Sequence, residues 1–480
     1  MKKAFKSMSV YGLGGILSRF IQFLLLPLYT RVLLPSDYGS LEIVSMTGSI
    51  IAILFGLMIS SGYVRNYYDN KDNHYRTELF SSAIWFTFFF SAVFLVLFFF
   101  LSDNIAARMF NFENGALYLK LILVSSFITV HNQIFYNLLM VQDKARKYVT
   151  INVITLLISI VCTIVFVVYF KWSIKGILLA QIIGFGLEFV LLFSSLSEKN
   201  LLFFSFEKIK EMLKYSLPLI PLQIASFILE LSDRYFLKEY QTLNDVGLYS
   251  LGYRFAAIIP LFAVQPMRGF TPYIFSLINT PEKCKQTLAD FFRYYLAAIL
   301  FISLVISMFS REAIMVMADK SYYTSWKVVY ILCISYVFYG SVNLLSYAIE
   351  IVKKNWISGI FWLFAAAINI GLNFILIPRY GILGASIATT ISYFIVLLCY
   401  FFAVSRVYYV PFQYGKFLFI LALTSIFYYF STWLNTELIL SVILKSLLLG
   451  IYTVIVLFNS YFTRDELAGF KRFCFDLVKR

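Results

Sequence analysis

The chain has 480 residues, of which 61% are hydrophobic, 19% aromatic and only 14% charged, with a net charge of +15. Soluble proteins carry about 25% charged residues, so these proportions exclude a water-soluble enzyme and place most of the chain in lipid. The apolar runs are continuous rather than alternating, which argues against a β-barrel. They predict an all-α polytopic membrane protein with about 14 transmembrane helices of about 20 residues each.

The first apolar run, 9–33, follows Lys2, Lys3 and Lys6. It is too long for the apolar region of a secretory signal and lacks a small-residue cleavage site, so an uncleaved first span is expected. Further helices are expected near 40–63, 79–101, 117–141, 149–170, 175–197, 213–238, 246–268, 290–310, 326–351, 357–378, 382–404, 414–434 and 438–460. Helices are required because a backbone amide in lipid must be paired within its own segment. Neighbouring runs almost merge at Trp172–Ile177 and Tyr380–Leu383, which marks two tight hairpins. Between 198 and 214, Phe206, Ile209 and Leu213 alternate with Glu207, Lys208, Lys210 and Glu211. That pattern predicts a short amphipathic helix on the cytoplasmic surface.

Positive charges orient the chain. With the N-terminus inside, inner segments hold 24 Lys or Arg and outer loops hold ten: Arg31, Arg108, Lys171, Lys175, Lys238, Arg311, Lys320, Lys327, Arg379 and Lys445. Both termini are therefore expected in the cytoplasm, with the basic tail Arg464–Arg480 as a topological anchor. The bias accounts for much of the +15 charge without a nucleic acid partner.

Sliding the chain by 208 residues places Asp37 on Asp245, Gly39 on Gly247, Ile174 on Ile382, Gly176 on Gly384 and Gln142–Val149 on Glu350–Ile357. Six successive helix positions coincide. An even number of helices per repeat gives both halves the same membrane orientation, so a pseudo-two-fold axis along the membrane normal is expected. The organisation that follows is a six-helix lobe over 1–197, an amphipathic linker over 198–212, a second six-helix lobe over 213–405, and two additional helices with a basic tail over 406–480.

No Cys-x-x-Cys pair occurs, and the two histidines, His74 and His131, are far apart, so neither a disulfide framework nor a metal site is expected. No Gly-x-x-x-x-Gly-Lys-Ser/Thr motif occurs, so no nucleotide or other cofactor is expected.

The stretch Gly14-Gly15-Ile16-Leu17-Ser18-Arg19-Phe20-Ile21-Gln22-Phe23-Leu24-Leu25-Leu26-Pro27-Leu28-Tyr29-Thr30-Arg31, followed by Pro35-Ser36-Asp37-Tyr38-Gly39, resembles the opening of polysaccharide-biosynthesis flippases of the Wzx (O-antigen) type. A second patch, Asp245-Val246-Gly247-Leu248-Tyr249-Ser250-Leu251-Gly252-Tyr253-Arg254-Phe255, is similar to the eighth helix of the same family. That family belongs to the superfamily of multidrug (MATE) extruders and lipid II flippases. The resemblance implies export of a polyprenyl-pyrophosphate-linked oligosaccharide across the cytoplasmic membrane, without covalent chemistry. It also leaves room for contact with polysaccharide polymerase machinery.

Charged side chains inside a span are costly and usually face a cavity or a partner. Arg19, His131 and Glu188 fall near the midplane of the first lobe. Arg19 reads either as a cavity cation for an anionic headgroup or as the structural partner of Glu188, and His131 as a structural residue. Glu230, Asp233 and Arg234 are spaced i, i+3 and i+4 on one helix face. Glu230 and Arg254 fall at matching depths, about 12 Å from the outer edge at 1.5 Å per residue. They read as a gate or as a static salt bridge, and Asp233 with Arg234 as a further gate or an interfacial pair. Arg31, Arg65, Arg268 and Lys120 lie near helix ends, where long basic side chains snorkel. Arginine nevertheless suits a pyrophosphate, which it binds bidentately, so Arg65, Arg268 and Arg31 join Arg19 and Arg254 as headgroup candidates. Without a nucleotide site, energy must come from substrate supply or an H+ or Na+ gradient, with Glu188, Glu230 and Asp233 as the acidic ligands at hand. The alternatives are a multidrug or small-molecule exporter of the same fold and a membrane polysaccharide polymerase. The first would want an acidic or apolar cavity, the second a large outer loop that this sequence lacks.

Overall fold

The computed structural model describes residues 21, 23–196, 203–458 and 461, apart from the side chains of Gln265, Pro266, Arg268, Gly269, Pro272 and Phe458. All regular structure among the described residues is helical. Twelve of the helices there are long and apolar enough to cross a membrane. One of them, Trp356–Val407, has 52 residues and contains a break at Gly381, where φ is 53° and ψ is −129°. At 1.5 Å per residue it is roughly 78 Å long, more than twice the hydrocarbon thickness. It therefore supplies two crossings, as the expected hairpin at Tyr380–Leu383 requires. The chain is a multi-span membrane protein, and the count of about fourteen helices holds as an approximation.

In chain order the helices are α1 (Leu26–Val32), α2 (Pro35–Gly56), α3 (Ile59–Tyr67), α4 (Asn73–Phe100), α5 (Ser102–Met109), α6 (Gly115–Val141), α7 (Ala145–Ile164), α8 (Ser173–Ser194), α9 (Phe206–Ser216), α10 (Ile220–Tyr240), α11 (Leu243–Ala256), α12 (Ile259–Ser276), α13 (Pro281–Met317), α14 (Trp326–Ile351), α15 (Trp356–Val407), α16 (Tyr414–Trp433) and α17 (Leu438–Phe458). The second helix of each half, expected as one piece, is broken in two. In the first half Leu57 and Met58 take positive φ, so that α2 gives way to α3; in the second the break falls at Ala257 and Ile258. Proline at the second position of α12 suits a new helix start, where the missing N–H costs nothing.

Contacts group the chain into two compact units. One comprises Met1–Ser250 with Trp362–Ala385; the other comprises Leu251–Phe361 with Ser386–Arg480. In the first unit, α3, α4, α6 and α9 share an apolar core that includes Tyr63, Leu79, Phe80, Phe135, Leu139 and Met212. Ser205 caps α9 by accepting from the Lys208 amide. Ile209, Met212 and Ser216 form its buried stripe, whereas Phe206 stands 79% exposed. The amphipathic helix thus buries one apolar face on protein and leaves another uncovered. In the second unit, α14 is buried along most of its length against α12 and α13.

The first unit also contains a reciprocal contact at the 208-residue spacing. A Cβ on Gly39 would overlap the carbonyl oxygen of Leu243, and a Cβ on Gly247 would overlap that of Pro35. Leu243 is Pro35 shifted by 208, as Gly247 is Gly39 shifted by 208. Each start is capped alike. Asp37 accepts from the Leu34 amide, and Asp245 accepts from the Thr242 amide at 3.2 Å and its hydroxyl at 2.6 Å. In both, the acid three residues in reaches back to the cap, and Thr242 completes a capping box by accepting from the Asp245 amide, which Leu34 cannot do. The same spacing relates Ser173 (φ 44°) and Gly381 (φ 53°), the turning residues of the two tight hairpins. One stretch departs from it. The left-handed residues after the fourth helix of each half are Asp143 and Lys353, which are 210 apart. The gapless match of Gln142–Val149 is therefore two residues out of structural register.

Lys445, counted from the sequence among the outer-loop charges, lies inside α17 and is only 2% exposed. Its long side chain reaches a buried carboxylate instead of solvent, which lowers the outer count by one and leaves the charge bias intact.

Candidate functional site

Three buried polar clusters and two cavities hold the chemistry of the described residues. The first cluster joins α6 and α8. Glu188 is 7% exposed and accepts from the Tyr136 hydroxyl at 2.5 Å and the Asn132 side-chain amide at 2.8 Å. Asn132 also donates to the Phe185 carbonyl, which fixes its orientation. His131, next along α6, places Nδ1 2.7 Å from the Phe127 carbonyl oxygen. Its ring packs against Phe88 and Phe127, as a structural histidine does.

The second cluster gathers α2, α10, α11 and the first arm of α15. Asp233 is fully buried; it accepts from the Tyr249 hydroxyl at 2.5 Å and from Asn373 Nδ2 at 2.8 Å. Asn373 also donates to Asn369 Oδ1, which accepts from the Ser232 hydroxyl as well. Arg234 is 2% exposed, donates to Ser250 and to the Glu230 carbonyl, and lies 3.9 Å from Glu42. Asp233 and Arg234 are thus buried within the protein, each with partners from other helices. A buried carboxylate beside a hydroxyl and a side-chain amide offers oxygen donors of the kind that hard cations prefer. Among the described residues no group of three or more acidic, His or Cys side chains forms a metal cluster.

The third cluster, in the second unit, was not legible from sequence. Lys445 of α17 donates to Glu312 Oε1 at 2.7 Å and to the Met308 carbonyl at 2.8 Å, and Ser441 donates to the same carboxylate oxygen at 2.6 Å. Its role is to fasten the added C-terminal helix to α13.

Below the α2–α3 break lies a cavity of about 280 Å³. Among the described residues its polar lining consists of Ser60, Thr87, Thr129, Gln133 and Gln223, with apolar surface around them and no charged side chain. Thr129 and Gln133 are four residues apart on α6, and Gln133 continues the row by donating to Asn137. This neutral amide and hydroxyl row carries no charge, so a search for charges passes over it.

The headgroup candidates are spread out. Arg19 and the Arg268 side chain lie outside the described residues. Arg31 is exposed in the last turn of α1, and Arg65, in the last turn of α3, is ion-paired with Asp69 at 2.5 Å. The Asp69 carboxylate raises the pKa of Arg65. Arg254 is half-buried in the last turn of α11. Glu230 is exposed in the first unit, whereas Arg254 belongs to the second. Lys120 meets Asp103 at 3.5 Å and lies over the Phe99 ring.

Residues 4–278 match the family model described as polysaccharide biosynthesis protein. A Haemophilus influenzae protein described as Lsg locus putative protein 1 is 22% identical over 412 residues, covering 82% of this chain and 98% of that protein. Among solved structures, the lipid II flippase MurJ in an inward closed conformation matches with a TM-score of 0.75 and 20% identity, over 93% of this chain and 98% of that one. An inward-facing multidrug resistance MATE family transporter of the MOP superfamily matches with a TM-score of 0.64 and 15% identity, over 83% of this chain and 95% of that one. At these identities the likeness is one of fold.

Proposed function

We infer that this chain, which belongs to the polysaccharide biosynthesis protein family, is a flippase for a polyprenyl-pyrophosphate-linked oligosaccharide, carrying the repeat unit of an O-antigen, capsule or exopolysaccharide from the cytoplasmic to the outer leaflet. The observation that carries the reading is the family match over residues 4–278 on a fold shared with a lipid II flippase. The oligosaccharide head passes through the protein by alternating access while the polyprenyl tail stays in lipid. Both termini lie in the cytoplasm of the cell membrane, and the protein does no covalent chemistry. The working parts are the two six-helix lobes, 1–197 and 213–405. The reciprocal contact of Gly39 and Gly247, and the shared turning positions at 173 and 381, support a two-fold relation between them.

Arg19, Arg254, Arg65, Arg268 and Arg31 are proposed as the cations that the pyrophosphate meets, and the neutral row of Thr129 and Gln133 as a lining that sugar hydroxyls tolerate. Coupling to H+ or Na+ is assigned to an acidic residue. Asp233 is the best placed of Glu188, Glu230 and Asp233, because its carboxylate is wholly buried and accepts from the Tyr249 hydroxyl and the Asn373 amide. Glu230, Arg254 and Arg234 remain proposed as gate residues. The mostly apolar cavity, uncharged among the described residues, also suits a small-molecule exporter of the same fold. The test that separates the two is flipping in proteoliposomes. Purified protein should expose a fluorescent polyprenyl-pyrophosphate saccharide to an outside quencher, and a set of lipophilic dyes should leave the rate unchanged. Competition by dyes without saccharide flipping would favour the exporter.

A further inference from the structure

A second cavity, of about 300 Å³ and open on one side, lies between the short helix α5 and the last turn of α10. Arg108 of α5 and Lys238 of α10 line it, and among the described residues neither cation has an ion-pair partner. Its aromatic wall is fixed in place. The rings of Phe236 and Tyr240 stack at 6.3 Å, Tyr240 meets Phe374 edge-on at 6.0 Å, and the Tyr235 hydroxyl is 2.7 Å from that of Thr47. Glu239 adds a carboxylate at the rim. The position in the membrane follows from the chain path. α4 begins beside α9 and leads into α5, and α10 follows α9 and ends at this cavity, so the cavity lies at the far end of α10 from the amphipathic helix.

Two cations against one carboxylate leave the lining with a net positive charge, which favours an anion. An arginine fork and a lysine point charge together match phosphate oxygens. A bare phosphate would leave the aromatic wall unused, whereas the C–H face of a sugar ring covers it and offers hydroxyls to Glu239. We propose that this cavity is a binding site for a phosphate-bearing sugar, with phosphate between Arg108 and Lys238 and the ring against Tyr240 and Phe236. Resting on the flippase reading, the site holds the head of the lipid-linked glycan on the release side of the membrane. A phospholipid headgroup would share the phosphate chemistry but has no use for the ring wall.

The test is titration calorimetry of the full chain in phosphatidylcholine nanodiscs, with glucose 1-phosphate and inorganic phosphate as probes. Glucose 1-phosphate should bind more tightly than phosphate, and more weakly at high salt. Arg108→Gln with Lys238→Gln should weaken both probes about tenfold or more, as loss of charge-assisted hydrogen bonds does. Tyr240→Leu should reduce glucose 1-phosphate to the affinity of phosphate. Thermal unfolding of the double cation variant should match wild type, since neither side chain is buried. Binding that ignores the double substitution would overturn the proposal. So would displacement of glucose 1-phosphate by phosphatidylglycerol with no effect of Tyr240→Leu, which would mark a phospholipid site. Binding is read without transport: its failure while saccharide flipping persists removes only this site, and its survival in a protein that flips nothing removes the flippase reading.

Discussion

Replacing Gly39 or Gly247 by alanine puts a methyl group where a backbone carbonyl, of Leu243 or Pro35, already sits. A helix carbonyl cannot rotate away as a side chain can, so the starts of α2 and α11 must separate. Overpacking of this kind costs about 1–3 kcal/mol. At tenfold per 1.4 kcal/mol, the closed crossing loses about five- to 150-fold in population. Because the contact is reciprocal, the two alanines should act equally. The double variant should lose less than the sum, since the gap opened by the first makes room for the second. A reporter is available in Ser40, which is 5% exposed on α2. In a Ser40→Cys background, maleimide labelling in membranes should quicken about tenfold with either alanine and export should fall. Unchanged labelling and export in both variants would refute the reasoning, because the crossing would then not be close-packed in the membrane.

Lys445→Met removes the close, buried partner of Glu312 and leaves only Arg311 at 3.9 Å, so the loss should approach the figure of about 3–5 kcal/mol typical of breaking a buried pair. The thermal midpoint of detergent-purified protein should drop, and adding Glu312→Leu should restore most of it; a double variant as unstable as the single would mean the pair is not what fastens α17. Asp233→Asn keeps the shape of its cluster and removes the charge, so folding should persist while the dependence of flipping on a Na+ or H+ gradient disappears. Retained gradient dependence would move the coupling role to Glu188 or Glu230. Arg19→Ala should abolish export at normal expression and Arg19→Lys should leave part of it, because lysine keeps the charge but not the bidentate geometry. Full complementation by Arg19→Ala would reduce that residue to packing.

The architecture was legible because lipid imposes one rule on every span: about twenty apolar residues with internally paired amides. The tight hairpins were readable from the near-absence of polar residues at Trp172–Ile177 and Tyr380–Leu383. The breaks within the second helices were not. Leu57 and Met58 take left-handed geometry with no proline between them, a choice made by packing rather than by local propensity. The repeat was visible as a few identities, yet only coordinates show that Gly39 and Gly247 touch the partner repeat's first turn. Charged residues were misplaced where sequence offered two equally cheap fates. Lys445 was counted as an outer charge although it lies within the span expected over 438–460, and its partner Glu312 falls just past the span expected over 290–310. Glu230, Asp233 and Arg234 were expected on one helix face, yet Glu230 is exposed while Asp233 and Arg234 are buried, with partners from three other helices, which spacing along one helix cannot reveal. The neutral row at Thr129 and Gln133 escaped because amides and hydroxyls are common in membrane helices and carry no charge signal.

The most direct test of the account is the leaflet distribution of the lipid-linked oligosaccharide in cells lacking this protein. Inner-leaflet material is shielded in intact cells from an impermeant probe such as a lectin, and becomes accessible on lysis. The account expects the saccharide intermediate to accumulate in the shielded pool after deletion and to return to the accessible pool when the wild-type chain is supplied. An accessible pool unchanged by deletion, in a strain with no second flippase, would contradict it.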